Sequence, residues 1–483
     1  MRRTVIGTIF VAALVVAGCA DDDGDSAGET NAPTSASAAS TAAPDTSTAT
    51  ASAGLDPTFG IDGILATPIS DADNDRYISV VHGPDGQLYA AGFTSVGEDH
   101  LFAVSRFDPD GTLDPTFGTG GTASVNVTEG GGGAEVGRGL AVHDDGTVVV
   151  AGPAEHDPSA EGEAAGDLDV AVIRFTPDGE LDTTFGTGGI ARIDLGVGKV
   201  IDEETFITDN AWGLTAREGG YAVNATTPNQ SPDRTDVDFA IVGLTASGQI
   251  DPGFGTNGVV IADLNASADS ARNIGVQADG KIVATGYSRD TADVVSPVLI
   301  RLTNEGVLDA EFGTNGLANH VVLEGVTEAY QWASQGENYV LAGYGRGADS
   351  EEKVDLVAYR FLADGSFDPS FGTDGVTRLD LTGEDDRARY LTVLPNGNIL
   401  LAGSGKLDAE NIDAMAVMLD PEGAFVETFG DGGHLLVELG GPADAFFGAS
   451  VSDDGATALL AGFKGADPDG TENDDAVLAR LTL

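Results

Sequence analysis

The sequence predicts an all-β chain, a seven-bladed β-propeller with four-stranded blades, on three observations. The stretch LDPTFGIDGI at 55–64 returns near residues 113, 181, 250, 308, 367 and 425, so its phenylalanine recurs at Phe59, Phe117, Phe185, Phe254, Phe312, Phe371 and Phe429. These anchors stand 58, 68, 69, 58, 59 and 58 residues apart, the steady period of one supersecondary unit used repeatedly. Between copies lie short Val- and Ile-rich runs bounded by Gly and Asp, with no helical period.

The motif reads as a turn. Asp then Pro suits the start of a type I turn, Phe buries a ring, and the following Gly lets the chain bend. The repeated Asp (56, 114, 182, 251, 309, 368) is expected to cap backbone amides rather than to do chemistry, because the seventh copy has Val426 in its place.

The chain opens with Arg2 and Arg3, an apolar run from Val5 to Val16 and small residues before its one cysteine. This is a secretory signal, expected over 1–18, too short to span a membrane. Val16-Ala17-Gly18-Cys19 resembles the bacterial lipobox, which implies a lipid-modified Cys19 that anchors the protein to a membrane surface. With no second cysteine, a disulfide does not explain Cys19. Residues 19–54 are rich in Ala, Ser, Thr and Asp, lack aromatic residues and read as a disordered tether.

Residues 55–483 form the propeller. In the second unit, RGLAV (138–142) runs through Asp145-Gly146 into TVVVAG (147–152), followed by DVAVIRF (169–175) and, after the turn motif, GIARIDL (189–195). The hairpin signal recurs at Asp85-Gly86, Asp279-Gly280, Asn396-Gly397 and Asp454-Gly455. At the ends, ILATPI (64–69) stands before the first hairpin, and AVLARLTL (476–483) has no turn motif after it. The N-terminal strand is therefore expected to complete the last blade and remove an open sheet edge.

This combination, LDxTFGxxG after a DGxIVVAG hairpin and a DxAVxRF strand, resembles the delta-60 repeats, a bacterial propeller family of unknown function. The resemblance implies the fold and is silent on activity. The third unit departs most, with Ala225-Thr226 for Ala-Gly and Gly243 where others carry Arg.

The formal net charge is -55, from 78 Asp plus Glu against 23 Lys plus Arg. Nucleic-acid binding through phosphates is excluded without a basic stripe. In an up-and-down blade, the loops after the second and fourth strands share one face, and here they vary in length and carry the carboxylates. Function is expected on that face.

There, eight residues before the hairpin glycine, stand Arg138, Arg272 and Arg389, with Trp212 and Phe447 in other units. Arg76, Tyr77, Tyr330, Trp332 and Tyr390 are neighbours in sequence, so a ring of arginine and aromatic side chains at a channel mouth is the candidate site for stacking sugars or holding an anion. The competing reading is that these arginines only neutralise nearby Asp. A second series, Arg106, Arg174, Arg301, Arg360 and Arg480, recurs at one place in the third strand and is expected to pair with the turn carboxylates. No cofactor is required, and calcium is the one candidate: Asp71, Asp73 and Asp75 have the spacing of a calcium loop, and Asp467, Asp469 and Asp474 form a second oxygen-rich cluster.

The six histidines fall at dissimilar repeat positions, and no GxSxG or HExxH motif exists, so the chain is read as a non-enzyme. The expected function is a monomeric, lipid-anchored, extracytoplasmic binding module for a surface glycan or envelope protein. The alternatives are a polysaccharide hydrolase or lyase at the channel mouth and a structural scaffold of the envelope.

Overall fold

Branched apolar residues alternating with small ones build strands here because each sheet is covered on both faces by its neighbours. The computed structural model describes residues 54–67, 69, 74–97, 99–130, 132–156, 166–200, 206–264, 268–349, 352–408, 411–465 and 474–483. The signal, Cys19, the tether up to residue 53, and Asp71, Asp73, Asp467 and Asp469 lie outside the described residues.

The fold is all-β and propeller-like, with several four-stranded antiparallel sheets and no α-helix among the described residues. The second unit sets the pattern, with Gly139–Val142, Val148–Glu155, Leu168–Phe175 and Ile190–Ile193 paired in chain order. Asp75–His82, Leu88–Val96, Asp99–Phe107 and Thr122–Val125 repeat it, as do Asn210–Arg217, Gly220–Pro228, Val237–Thr245 and Val259–Ala262. Further along, successive four-strand runs are joined by single parallel pairs, Val295↔Val326 and Ile412↔Ala443. The Asp-Gly hairpins are longer than a two-residue loop: Gly146 N–H donates to the His143 carbonyl at 2.8 Å, and Gly146 takes φ +83°, a type I turn followed by a left-handed glycine.

The N-terminal strand Ile64–Ala66 pairs antiparallel with the last strand, Asp475–Thr482, in the register Ile64↔Ala479. Gly54–Leu55 extends the same edge. The first and last units also share one apolar cluster, in which Phe59, Tyr77 and Leu88 pack with Leu459 and Leu478.

The recurring turn is built as its residues dictate. Asp114 Oδ1 accepts from Thr116 N–H at 2.9 Å and Thr116 Oγ1 at 2.7 Å, and Phe117 is fully buried. Gly118 stands at φ +53°, where a Cβ would lie 2.2 Å from the Thr122 carbonyl oxygen, so no other residue fits. Each buried phenylalanine contributes roughly 1.5–3 kcal/mol of hydrophobic stabilisation.

The second arginine series locks this turn to the neighbouring unit. Arg106 Nε donates to Asp114 Oδ2 at 2.8 Å, its guanidinium lies 4.8 Å from the centre of the Phe117 ring, and Nη1 reaches the Pro177 carbonyl of the next unit. Arg174, Arg301, Arg360 and Arg480 repeat the arrangement through Asp182, Asp309, Asp368 and Asp56. Their outward contacts are the carbonyls of Ala246, Ala363, Pro421 and Pro109. Two units depart, and each is compensated. Where Gly243 replaces the arginine, Arg217 from the first strand pairs with Asp251 at 2.5 Å, and a Cβ on Gly243 would stand 2.3 Å from the Phe254 ring. In the sixth unit both partners are lost together: Met418 stands for Arg and Val426 for Asp, with Val426 N–H still bonded to the Met418 carbonyl at 3.0 Å.

Candidate functional site

Seven first strands contain the local sequences DRYIS (75–79), EVGRG (135–139), DNAWG (209–213), DSARN (269–273), TEAYQ (327–331), DRARY (386–390) and DAFFG (444–448). Six of them carry a β-bulge at the fourth of these positions, the register skipping Ile78, Trp212, Arg272, Tyr330, Arg389 and Phe447. Arg138 occupies the same position just ahead of Gly139–Val142, and its N–H bonds the Ala151 carbonyl at 2.9 Å. A bulge leaves one residue unpaired and re-aims its side chain, so every unit offers one side chain of this kind.

Six of these side chains stack in sequence around the structure as alternating cation and ring. The Arg138 and Arg272 guanidiniums each lie 4.1 Å from the Trp212 ring centre, on either side of it in the chain of contacts. Arg272 is 4.8 Å from Tyr330, Arg389 is 4.7 Å from Tyr330, and Arg389 is 5.7 Å from Phe447. Tyr287 and Tyr344 flank Arg272 and Arg389 from the second strands. Cation–π contacts gain strength when desolvated, and Arg389 is 8% exposed.

Charge balance along this stack is unusual for so acidic a chain. Among the described residues neither Arg138 nor Arg389 has a carboxylate in salt-bridge range, and Arg272 has only Glu328, at 3.7 Å. Neutral groups hold the cations instead: Arg138 Nη1 donates to Asn210 Oδ1 and to the Ala211 carbonyl at 3.2 Å. Arg272 donates to Ser270 Oγ at 2.6 Å and Tyr287 Oη at 2.9 Å. Burial and then the Arg272 charge pull Arg138 down to about 9, which still leaves it cationic near neutrality. Burial tends to raise Tyr330, but Arg389 and Arg272 on its two sides outweigh it and leave the phenol below its ordinary value.

Arg138, Trp212, Arg272, Tyr330 and Arg389 are thus brought together, and four other sequence candidates are not. Arg76 pairs with the buried Asp474 and stacks 4.1 Å from Phe463, bridging the first and last units. Tyr77 is fully buried, its hydroxyl donating to Ser105 Oγ at 2.9 Å. Trp332 is a core residue against Tyr339. Tyr390 faces the hairpin end, where with Val80, Thr392 and Ser450 it lines a cavity of about 410 Å³. A bulge reverses the in-and-out alternation of a strand, which a sequence comparison without ladder register does not reveal. Phe447, at the same offset from its hairpin glycine, belongs to the stack, and Tyr344 from a second strand joins it.

Of the calcium candidates, Asp75 and Asp474 are described and buried, and the two acid-rich segments meet, with Asp75 N–H donating to the Asp474 carbonyl at 3.0 Å. An asparagine and an arginine pair there: Asn74 Oδ1 accepts from Asp474 N–H at 2.8 Å, and Arg76 holds the Asp474 carboxylate.

Sequence reasoning missed a second series. Three residues before each bulge position stand Asp75, Glu135, Asp209, Asp269, Asp386 and Asp444, all almost fully buried, with Thr327 in the fifth unit. They clasp the loop arriving from the preceding unit: Leu195, Leu264, Leu381 and Leu439 N–H donate to Asp209, Asp269, Asp386 and Asp444 at 2.6–2.8 Å. Burial pushes Asp209 up to about 8, Asp444 and Glu135 to about 7, and Asp269 and Asp386 to about 6. The signal was present as a carboxylate at a fixed offset in six units, but it is hidden among so many other acids.

Three stretches, 83–117, 143–185 and 277–312, match a family described as a beta-propeller domain of unknown function, DUF5122. Each stretch runs from a hairpin turn to a motif phenylalanine. No curated protein matches the chain. Among solved structures, a protein of unknown function from Dyadobacter fermentans is similar at 12% identity and TM-score 0.42, covering 88% of this chain and 100% of its own. The polysaccharide lyase Uly1 is similar at 9% identity and TM-score 0.47, with 86% and 91% covered. Drosophila Semaphorin 2a stands at 8% and 0.41, with 86% and 76% covered.

Proposed function

We propose that the chain is a seven-bladed propeller, closed by its N-terminal strand, that acts as a binding module with the alternating arginine–aromatic ring as its site. Closure is supported by the pairing of Ile64–Ala66 with the last strand and by Arg480, which takes its carboxylate from Asp56, a separation of 424 residues. The observation that carries the site is the set of three arginines, Arg138, Arg272 and Arg389, gathered with one acid in range among the described residues of a chain of net charge -55. The ligand such a ring suits has an anionic group and a flat apolar face, as an acidic surface glycan or an envelope protein does. In this reading a lipid on Cys19 tethers a monomeric propeller outside the cytoplasm, on the cell surface or in the periplasm, with the loop-rich face free to bind.

The test is binding of the purified chain to a panel of neutral and acidic glycans and envelope extracts, beside an Arg138, Arg272 and Arg389 to Ser variant and an Arg76→Ser control. Saturable binding kept by the control and lost by the folded triple variant supports the site. Equal binding by all three proteins removes it.

One observation favours a second reading, a lyase acting on an acidic polysaccharide. Tyr330, held between two guanidiniums that depress its pKa, would as phenolate take the proton from the carbon next to a carboxylate that the arginines bind and, as phenol, return it to the glycosidic oxygen that leaves as the double bond forms. Unsaturated product formed by wild type and lost in Tyr330→Phe, with binding retained, would select it.

A further inference from the structure

At the junction of the third and fourth units, three carboxylates converge. Asp238 and Asp269 are 4% and 0% exposed, and one carboxylate oxygen from each, together with one from Asp263, lies within 4.8 Å of the others. In both buried groups one oxygen is engaged: Asn229 Nδ2 donates to Asp238 Oδ2 at 2.8 Å, and Leu264 N–H donates to Asp269 Oδ2 at 2.8 Å. The other oxygen, Oδ1 of each, is buried without a donor in hydrogen-bonding geometry. Ser288, opposite Asp269 in the ladder, is a neutral hydroxyl that only eases the charge.

Buried carboxylate oxygens left without donors beside a further carboxylate are costly unless a cation joins them. Burial, then the charges around it, Asp263 first for Asp238, raise both groups above their ordinary values. The resident cation is Arg234, whose guanidinium bonds Asp236 and Asp263 and stands 3.7 Å from Asp238 Oδ1. That one guanidinium reaches three carboxylates, Asp236, Asp238 and Asp263. We propose that Asp238, Asp263 and Asp269 bind a calcium ion, with water and backbone carbonyls completing its shell. Calcium accepts an irregular shell of six to eight oxygens, as three carboxylates from different segments supply, whereas magnesium demands a near-ideal octahedron and gives up its waters reluctantly.

One unit earlier, His156 Nδ1 and Arg192 Nε occupy both oxygens of Asp169, the counterpart of Asp238, at 2.9 and 2.6 Å, while Asp209, the counterpart of Asp269, keeps a buried Oδ1 without a donor. The third-strand carboxylate is what differs between the two clusters.

The experiment is equilibrium binding of radioactive calcium to the full chain at about 0.15 M NaCl, which screens diffuse attraction to the acidic surface, with melting temperatures in calcium, magnesium and EDTA. We expect one saturable calcium class, weaker for magnesium by tenfold or more, and a rise in melting temperature of about 2–4 °C at saturation. Asp238→Asn and Asp269→Asn each lose that class and melt no lower than wild type in EDTA. Arg234→Gln, at a partly exposed position, tightens calcium binding several-fold by removing the competing cation. No saturable class, or a class unchanged by all three substitutions, overturns the proposal.

Discussion

The arginine that joins each turn to the next unit can be removed with its partner at little cost, but not alone. Arg106 and Asp114 have side chains 8% and 11% exposed and meet through Nε and Nη2, at 2.8 and 2.7 Å. Asp114→Val leaves a buried guanidinium whose remaining acceptors are Thr116 Oγ1 and the Pro177 carbonyl, a loss of roughly 3–5 kcal/mol. Arg106→Met leaves a carboxylate that still accepts from Thr116, a loss of roughly 1–3 kcal/mol. The double variant recreates Met418 and Val426 of the sixth unit, which keep the backbone turn without any charge, and is expected to lose only about 1–2 kcal/mol. Urea denaturation of the four proteins gives a coupling energy of at least about 2 kcal/mol. If the double variant loses the sum of the two single effects, the pair is not a unit and the reasoning from the sixth unit fails.

Gly243→Ala places a methyl 2.3 Å from the Phe254 ring and should cost roughly 1–3 kcal/mol through overpacking, measured as a lower denaturation midpoint; no loss would mean that the turn can shift. The buried clasps set a pH dependence. Their folded pKa values are raised, so their stabilisation is complete below about pH 4 and is lost as pH rises through the values of about 7 to 8 reached by Glu135, Asp444 and Asp209. The turn carboxylates, Asp114 and Asp182 among them, are lowered, chiefly by their Thr hydroxyls, and lose their contribution as pH falls below about 4. Melting temperature should therefore peak in mild acid, near pH 4–6. Asp209→Asn keeps an acceptor for Leu195 N–H and should melt higher than wild type at about pH 8 but not at about pH 4; equal melting at both would show that the carboxyl is ionised without penalty.

By itself the sequence determined the repeat, the strand order within each unit and the turn that ends the third strand. These depend on local chemistry: Asp capping two residues ahead, Gly at positive φ, and a phenylalanine that any packing must bury. It also revealed the pairing of Arg106, Arg174, Arg301, Arg360 and Arg480 with the turns, because the arginine recurs at one place in the third strand and the carboxylate at one place in the turn. Tertiary structure decided which side chains meet around the ring. A bulge in six of the first strands turns side chains such as Arg272 and Arg389 toward the rings of other units, while Tyr77 and Trp332, neighbours in sequence, go into the core. A single-residue slip exchanges the two faces of a strand, and that slip is set by pairing with the second strand. Nor could composition say which of 78 acidic residues are buried. That is fixed by where a loop from one unit lands on the first strand of the next, a contact between segments whose relation exists only once the units have packed.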